Sequence, residues 1–130
     1  MLSGDEKRNW RRHRSHRPYR RMQWTLQPWL LLLLLQKPGY GYELMERLSQ
    51  AKPDTDPGLM YRTLRQLEEG GMVHSEWDTE GQGPARRLYN VTPEGTEYLH
   101  IHTANIRRLQ NQLLRFLSEY EDYFNMKENE

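Results

Sequence analysis

The side chains with the clearest chemistry lie in the segment Pro57–Glu69, which has the apolar spacing of a helix. The side opposite its apolar residues carries arginine and glutamine, with a threonine at its flank. Arginine bonds to O6 and N7 of guanine in the major groove of DNA, and glutamine bonds to N6 and N7 of adenine. The segment is therefore predicted to read base edges through Arg62, Thr63, Arg65 and Gln66. The alternative, which the spacing does not exclude, is an ordinary solvent-exposed face whose arginines pair with Glu69 and its neighbours.

Two further arginines, Arg86 and Arg87, follow the turn-forming sequence Gly81–Pro84. Neighbouring residues of a strand point to opposite faces, so we expect one arginine to contact DNA and the other to pack or to pair with an acid. Tyr61 lies at the edge of the apolar side of its helix, where its ring can pack while its hydroxyl reaches a phosphate. Tyr61 and the pair Arg86 and Arg87 are therefore candidate DNA-binding residues, with one arginine of the pair expected to make the contact.

Charge is divided unevenly along the 130 residues. Residues 1–21 carry eight basic and two acidic side chains, a net charge of +6, whereas residues 22–130 carry eleven basic and sixteen acidic ones, a net charge of −5. We expect residues 1–21 to form a disordered basic arm that contacts a polyanion, like arms that enter the minor groove. The predicted arm contacts are Arg11, Arg12, Arg14, Arg17, Arg20 and Arg21. A tail that only keeps the protein in solution is the alternative.

Apolar periodicity and turn residues predict the elements that position these side chains. Four helices are expected at about Thr25–Gln36, Tyr42–Gln50, Pro57–Glu69 and Pro93–Phe124. Two strands are expected at Met72–Thr79 and Ala85–Val91. A mainly α chain with a small β-hairpin in this order is typical of a winged helix-turn-helix, here residues 22–92. Its third helix enters the major groove, and its hairpin, the wing, reaches the backbone or the minor groove.

The last predicted helix carries apolar residues at alternating intervals of three and four over several heptads. This repeat is typical of a coiled coil, and its stripe is too wide for one small domain to cover. We therefore predict a homodimer held by a long C-terminal dimerisation helix, residues 93–124, followed by a tail, residues 125–130. The expected interface residues are Leu99, His102, Ile106, Leu109, Leu113, Phe116, Tyr120 and Tyr123. A long helix packed only within its own chain is the alternative.

Several short sequences, in this order, resemble the PadR family of bacterial transcriptional regulators over about Leu26–Tyr123. They are Trp29 with the leucines after it, Gly41–Leu44, Gly58–Glu68, Gly71–Val73, Ser75–Trp77, Gly83–Tyr89 and Thr92–Gly95. The resemblance implies a winged-helix domain, a C-terminal helix that dimerises, and repression of transcription that a ligand or signal relieves. It also implies a DNA-facing role for Tyr61 and for the wing arginines.

The chain also departs from the family pattern. Many members have His where this chain has Tyr40 and Pro where it has Arg62, and the arginine-rich arm is not part of the pattern. Tyr61-Arg62 followed by Ser75–Thr79 is most similar to the poly-β-hydroxybutyrate-responsive repressors, and membership of that subgroup is our hypothesis.

The apolar run Trp29–Leu35 has seven residues, whereas a helix needs about 20 to cross a bilayer. Arg20-Arg21 before it is similar to a twin-arginine leader, but Gln36–Tyr40 offers no small-residue cleavage site. The chain has no cysteine, which excludes disulfides and thiolate metal sites and fits a reducing compartment. We expect no membrane association and a cytoplasmic location.

Catalysis is not expected, and neither a metal nor a cofactor is predicted. His100 and His102 lie about 200° apart around a helix and cannot share a metal. His13 and His16 have no carboxylate or thiolate residue near them in the sequence that could complete a metal site. His102 falls on the dimer stripe, where a packing role and a pH-sensitive contact both remain open.

Two further hypotheses concern partners. A small-molecule effector would bind between the DNA-binding domain and the dimerisation helix, with Trp29 and Trp77 as aromatic walls, unless both are simply core tryptophans. The net charge of −5 over residues 22–130 leaves open a winged-helix protein-interaction module that does not bind DNA. The leading prediction is a homodimer that binds a double-stranded DNA operator.

Overall fold

The computed structural model describes residues 23–81 and 83–129. After a 3-10 turn at Gln23–Thr25, the helices are α1 (Leu26–Gln36), α2 (Gly41–Ala51), α3 (Pro57–Glu69) and α4 (Pro93–Glu128). The strands are β1 (Gly39–Tyr40), β2 (Val73–Asp78) and β3 (Arg86–Val91). The predicted basic arm, with its contacts Arg11, Arg12, Arg14, Arg17, Arg20 and Arg21, lies outside the described residues.

The two helices that follow a capping residue and a proline begin where the sequence predicts. The Asp56 carboxylate accepts a hydrogen bond from the Leu59 backbone N–H at 3.0 Å, and Pro57 is the first residue of α3. The Thr92 hydroxyl accepts one from the Gly95 N–H at 3.0 Å, and Pro93 begins α4. Each cap satisfies an N–H group that the helix itself cannot pair.

The core is built around α1, which contacts α2, α3, β3 and α4. Its Leu26, Leu30, Leu31 and Leu34 are almost completely buried. Leu44 and Leu48 of α2 pack against them, together with three residues of α3, namely Met60, Leu64 and Leu67. The nearly uniform apolarity of α1 predicts burial on several sides, and the structure confirms it.

Arg47 joins α2 to the end of α1. Its guanidinium donates hydrogen bonds to the carbonyl oxygen of Leu33 and, at 2.9 Å, to that of Lys37. The Leu33 carbonyl oxygen also accepts from the Lys37 N–H at 3.0 Å, and Lys37 is the residue that follows α1, so this arginine ties α2 to the C-terminus of α1. The apolar spacing of α2 did not reveal this role.

The three strands form one antiparallel sheet in the order β1-β3-β2. Ser75 of β2 lies opposite Tyr89 of β3, and Tyr40 of β1 lies opposite Leu88 of β3. The predicted hairpin is present, but the sequence analysis missed β1, because two residues are too few to show a periodicity. This short strand brings the start of α2 beside the wing.

The last helix is longer than expected. It has 36 residues and ends at Glu128, so residues 125–128, predicted as part of a tail, extend the helix instead. Asn125–Glu128 contain no glycine or proline that would stop it. Beyond its first turns, α4 leaves the rest of the domain and its side chains are exposed.

Gly95 fixes the start of α4 against the wing. A Cβ atom at this position would lie 2.0 Å from the Met72 carbonyl oxygen and 2.7 Å from Cγ1 of Val91. The Thr92 N–H also donates to that carbonyl oxygen at 3.1 Å. Only glycine permits this close approach between the helix and the strand.

Gly95→Ala is therefore expected to lower the free energy of unfolding by about 1–3 kcal/mol, the usual cost of overpacking. Urea unfolding followed by circular dichroism at fixed protein concentration measures it. The matched control is Gly81→Ala, because its Cβ would meet only the end of the Arg86 side chain, at 3.7 Å. The control is expected to change stability by less than about 0.5 kcal/mol. Equal stabilities for the two variants would contradict this account of the α4–wing junction.

Candidate nucleic-acid interface

Helix α3 separates its apolar and polar residues cleanly. Its buried side anchors it against α1, and exposed polar side chains, among them the acid Glu69 at the end of the helix, lie on the other side. We give the name reading face to three of these residues, Arg62, Arg65 and Gln66. Its width suits the edges of successive base pairs, because residues three and four apart on a helix are neighbours.

Thr63 does not belong to the reading face. Its side chain is only 6% exposed, and its hydroxyl donates a hydrogen bond to the Leu59 carbonyl oxygen at 2.8 Å. The prediction that Thr63 contacts DNA is therefore corrected. The buried side of α3 is wider than its three large apolar residues indicate, and it takes in the small threonine on the flank.

Tyr61 is placed by a glycine. Its ring packs on the first residue of α2, where a Cβ on Gly41 would lie 2.6 Å from the ring atom Cε1 and 3.0 Å from the hydroxyl oxygen. The side chain nevertheless remains exposed. The ring thus packs beside the N-terminus of α2, and contact between the Tyr61 hydroxyl and a phosphate stays a prediction.

Arg87 and Glu68 join the wing to α3. The Glu68 carboxylate accepts hydrogen bonds from the Ser75 hydroxyl and, at 2.9 Å, from the Ser75 N–H. Arg87 donates to the Ser75 hydroxyl oxygen at 3.0 Å and lies 4.0 Å from Glu68. Its guanidinium also lies 5.0 Å from the ring centroid of Trp77. Arg87 is thus the member of the arginine pair that packs and pairs with an acid, which leaves it occupied rather than aimed at DNA.

Arg86 occupies a different environment on the opposite face of β3. Its guanidinium lies 4.4 Å from the ring centroid of Tyr40 and 5.8 Å from that of Tyr42. It donates a hydrogen bond to the Tyr42 hydroxyl at 2.7 Å. The two tyrosine rings are parallel within 2°. Stacking of this kind orients a guanidinium while leaving the N–H groups at its edge available for hydrogen bonds to another partner.

Asp78 faces Arg86 across the hairpin but has other partners. Its carboxylate accepts hydrogen bonds from the Tyr40 hydroxyl and, at 3.1 Å, from the Glu80 N–H. These bonds, the one from Tyr40 foremost, hold the pKa of Asp78 below its ordinary value, and Asp78 raises the pKa of Tyr40 above its own. The phenol therefore stays protonated and the carboxylate stays charged at neutral pH.

A cleft of about 250 Å³ lies where β1 and the start of α2 meet Tyr61 of α3 and β3 of the wing. We call it the arginine–tyrosine cleft, and its lining residues are Tyr40, Gly41, Tyr42, Tyr61, Arg86, Arg87 and Tyr89. Burial raises the pKa of Tyr89, so that its phenol also stays neutral. The sequence analysis did not identify Tyr40, Tyr42 or Asp78, although two tyrosines in Gly39–Tyr42 are a signal that could have found the first two.

A second cleft, of about 270 Å³, lies between α1 and α4 and has Trp29 in its wall. We call it the Trp29 cleft; its other lining residues are Thr25, Pro28, Leu32, Leu99, Thr103 and Ile106. Trp77 is 61% exposed on the wing and does not line it. The prediction that both tryptophans form one pocket is therefore wrong for Trp77, because β2 extends beyond the core at that residue.

The predicted dimer stripe on α4 divides into two parts. Leu99 is 9% exposed and belongs to the core of its own domain, so its assignment to the dimer interface is corrected. His102 and Ile106 are half-buried, and the ring of His102 meets Tyr98 edge-on at 4.5 Å. The remaining predicted residues are exposed: Leu109, Leu113, Phe116, Tyr120 and Tyr123. Neighbouring Leu114, Leu117 and Phe124 widen this apolar surface.

Among residues 23–81 and 83–129, no group of three or more His, Asp or Glu side chains is arranged to hold a metal ion. Within the same residues, no helix combines the length and apolarity needed to cross a bilayer.

Known proteins share this architecture. The model of the transcriptional regulator PadR-like family matches residues 30–101. Transcriptional regulator Rv3488 of Mycobacterium tuberculosis is 33% identical over 75 residues, 58% of this chain and 69% of the relative. A PadR family transcription regulator of Clostridium difficile R20291 has a TM-score of 0.65 and 26% identity, over 72% of this chain and 98% of that one.

A PadR family transcriptional regulator of Eggerthella lenta DSM 2243 has a TM-score of 0.63 and 30% identity, over 73% of this chain and 80% of that one. These likenesses confirm the predicted winged-helix fold with a long C-terminal helix. The family match takes in more than half of the chain, from α1 through α3 and the wing into the first turns of α4. The chain therefore belongs to the transcriptional regulator PadR-like family.

Proposed function

We propose that this protein is a sequence-specific DNA-binding repressor that acts as a homodimer and is released from its operator by a ligand or signal. The observation that carries the proposal is the reading face, Arg62, Arg65 and Gln66, exposed on α3 beside a wing that presents Arg86. Family membership supports the same conclusion. The assignment to the poly-β-hydroxybutyrate-responsive subgroup is a narrower hypothesis that rests on Tyr61-Arg62 and Ser75–Thr79.

In this proposal α3 lies in the major groove, where its arginines and glutamine discriminate among base pairs. The wing reaches toward the adjacent backbone, and the basic arm adds contacts that do not depend on sequence. Because residues 22–130 carry a net charge of −5, the positive surface must be local. Binding should then weaken steeply as salt rises, since each phosphate contact releases counterions.

Pairing of two chains is proposed to occur along α4. Leu113 is 54% exposed and Phe116 is 62% exposed in the single chain. Contiguous apolar surface of this extent marks an interaction site on a protein in water, and a twofold pair covers the same stripe on both copies. Two reading faces joined in this way would engage two operator half-sites.

The Trp29 cleft is the proposed effector site. Its walls are mostly apolar, with one tryptophan and two threonines, and the side chains that line it include no charged group. A neutral, flat molecule is therefore the class of ligand that fits it. Since α1 and α4 both contribute to the cleft, a ligand that prefers one arrangement of these helices would shift the protein toward it.

An interaction module that has kept the winged helix without binding DNA is the alternative. The net charge of −5 favours it. The two functions differ in their response to DNA, and the first experiment separates them.

Arg62→Ala is expected to weaken binding to a duplex that the wild type selects from a random pool by about 1–3 kcal/mol, while binding to a scrambled duplex changes little. Loss of a base contact lowers the preference for one sequence, and fluorescence anisotropy at two salt concentrations measures both affinities. Arg108→Ala is the control, because this exposed arginine of α4 contacts only Asn105 of its own helix among described residues. A wild type that selects no duplex would favour the interaction module.

Leu113→Glu with Phe116→Glu is expected to convert the dimer to a monomer of 15.8 kDa, because two carboxylates on each copy would face the apolar stripe of the other. Sedimentation equilibrium at micromolar concentration measures the mass. Asn111→Glu adds a charge on the opposite side of α4 and should leave the dimer intact. A wild type that sediments as single chains would refute the proposed pairing.

Trp29→Leu is expected to weaken binding of the neutral planar dye Nile red by about tenfold, since it removes the aromatic wall while retaining an apolar side chain. Dye fluorescence titration measures the affinity, and thermal unfolding verifies that the variant is folded. Trp77→Leu is the control and should bind the dye like the wild type. Equal dye affinities for both variants would place the binding elsewhere.

A further inference from the structure

We infer that the arginine–tyrosine cleft binds one backbone phosphate of DNA through Arg86 and the hydroxyls of two tyrosines, Tyr42 and Tyr61. We further infer that Tyr40 is a positioning residue, which keeps Arg86 available to the phosphate by occupying Asp78. Both inferences rest on the proposed function. They name the residues through which the protein would bind the phosphate backbone of DNA.

The position of the cleft indicates its ligand. Tyr61 of α3, the element that enters the major groove, lines the cleft together with Gly41 and Tyr42 at the start of α2. Arg86 lines it from β3 of the wing, which reaches the backbone or the minor groove. The backbone that separates a major from a minor groove would therefore pass over this cleft. A phosphate in the cleft would be within reach of both elements.

The chemistry of the cleft suits a phosphate oxygen. A guanidinium has five N–H groups, and in the described part of the chain Arg86 gives a hydrogen bond only to the Tyr42 hydroxyl. Because that hydroxyl accepts from Arg86, its own proton can be donated. The Tyr61 hydroxyl lies beside Gly41 at the same opening. All three residues line the same cleft, where an anion could accept from them, and a charged guanidinium donor forms the stronger class of hydrogen bond with phosphate.

Asp78 would otherwise neutralise Arg86. The two residues are direct partners across β2 and β3, a position in which opposite charges normally pair. The Asp78 carboxylate instead accepts from the Tyr40 hydroxyl and the Glu80 N–H, and it forms no ion pair with Arg86 among the residues described. Hydrogen bonding to Tyr40 thus occupies the carboxylate in place of an ion pair, although Arg86 is near enough that its charge helps to lower the pKa of Asp78.

Tyr40 is itself held at both ends. Its backbone pairs with Leu88 in the sheet, and its hydroxyl is bound to Asp78 on the far strand. The guanidinium of Arg86 rests on the ring between these two attachments. The ring therefore has little freedom to move, and the arginine above it is oriented before DNA arrives.

The test uses the full-length protein and a duplex of about 30 base pairs recovered by the wild type from a randomised pool, long enough for two half-sites one helical turn apart. Each phosphate in turn is replaced by an uncharged methylphosphonate. In the wild type, one position in each half-site is expected to lower affinity by about tenfold beyond its neighbours. In Arg86→Ala that position should become no more sensitive than the others.

Tyr40→Phe separates the positioning role from packing. It keeps the ring but frees Asp78 to capture Arg86, so affinity should fall by about tenfold and the salt dependence of log K should decrease by about 0.9 for each half-site. Adding Asp78→Asn to Tyr40→Phe removes the competing charge and should restore both quantities. A ring that served only for packing would give no such rescue.

Tyr98→Phe is the matched control, because it removes a phenol hydroxyl that bonds to Gln27 in α1, outside the cleft. It should leave affinity and salt dependence unchanged, and thermal unfolding verifies the fold of every variant. The inference is overturned if the wild type selects a duplex but Arg86→Ala keeps the same phosphate sensitivity. It is likewise overturned if Asp78→Asn fails to rescue Tyr40→Phe. A wild type that selects no duplex refutes the proposed function itself.

Discussion

Burial of α1 is the constraint on which the other elements depend. Leucines cover so much of this helix that no single partner can shield it, so α2, α3, β3 and α4 all pack around it. Their mutual positions follow from that shared contact, and Arg47 fixes the end of α1 to α2 by bonding its carbonyl groups. The polar side of α3 then faces outward because its apolar side is committed to α1. A surface able to meet DNA is thus set by packing behind it.

Polar contacts of the wing fix its position on α3 more closely than apolar packing alone. Glu68 joins α3 to β2 through Ser75, and Arg87 closes the same junction from β3. On the opposite face of β3, the two-residue strand β1 places Tyr40 beneath Arg86. Neighbouring arginines thereby acquire different tasks. Arg87 stabilises the contact between the wing and α3. Arg86 lies over the tyrosine rings, where its N–H groups remain available.

Sequence reasoning succeeded where a local rule determines the structure. Asp56-Pro57 and Thr92-Pro93 locate two helix starts, since capping involves residues only three apart. It failed where distant parts of the chain decide the outcome. Thr63 and Leu99 carry the right spacing for their predicted surfaces, yet neighbours from other elements bury them. The Tyr40–Asp78 bond joins residues 38 positions apart, through a strand too short to leave a periodic signal.

The close approach at Gly95 makes α4 a lever. Its first turn is seated on the Met72 carbonyl with no side chain between them, so the helix and the base of the wing are in direct contact. From Gly95 to its end at Glu128, at about 1.5 Å for each residue, α4 extends roughly 50 Å from that pivot. A tilt of about 5° at the pivot therefore displaces the far end by about 4 Å, less than half the width of a helix. In a pair clasped along α4, a slight adjustment beside Trp29 would be magnified into a changed distance between the two reading faces.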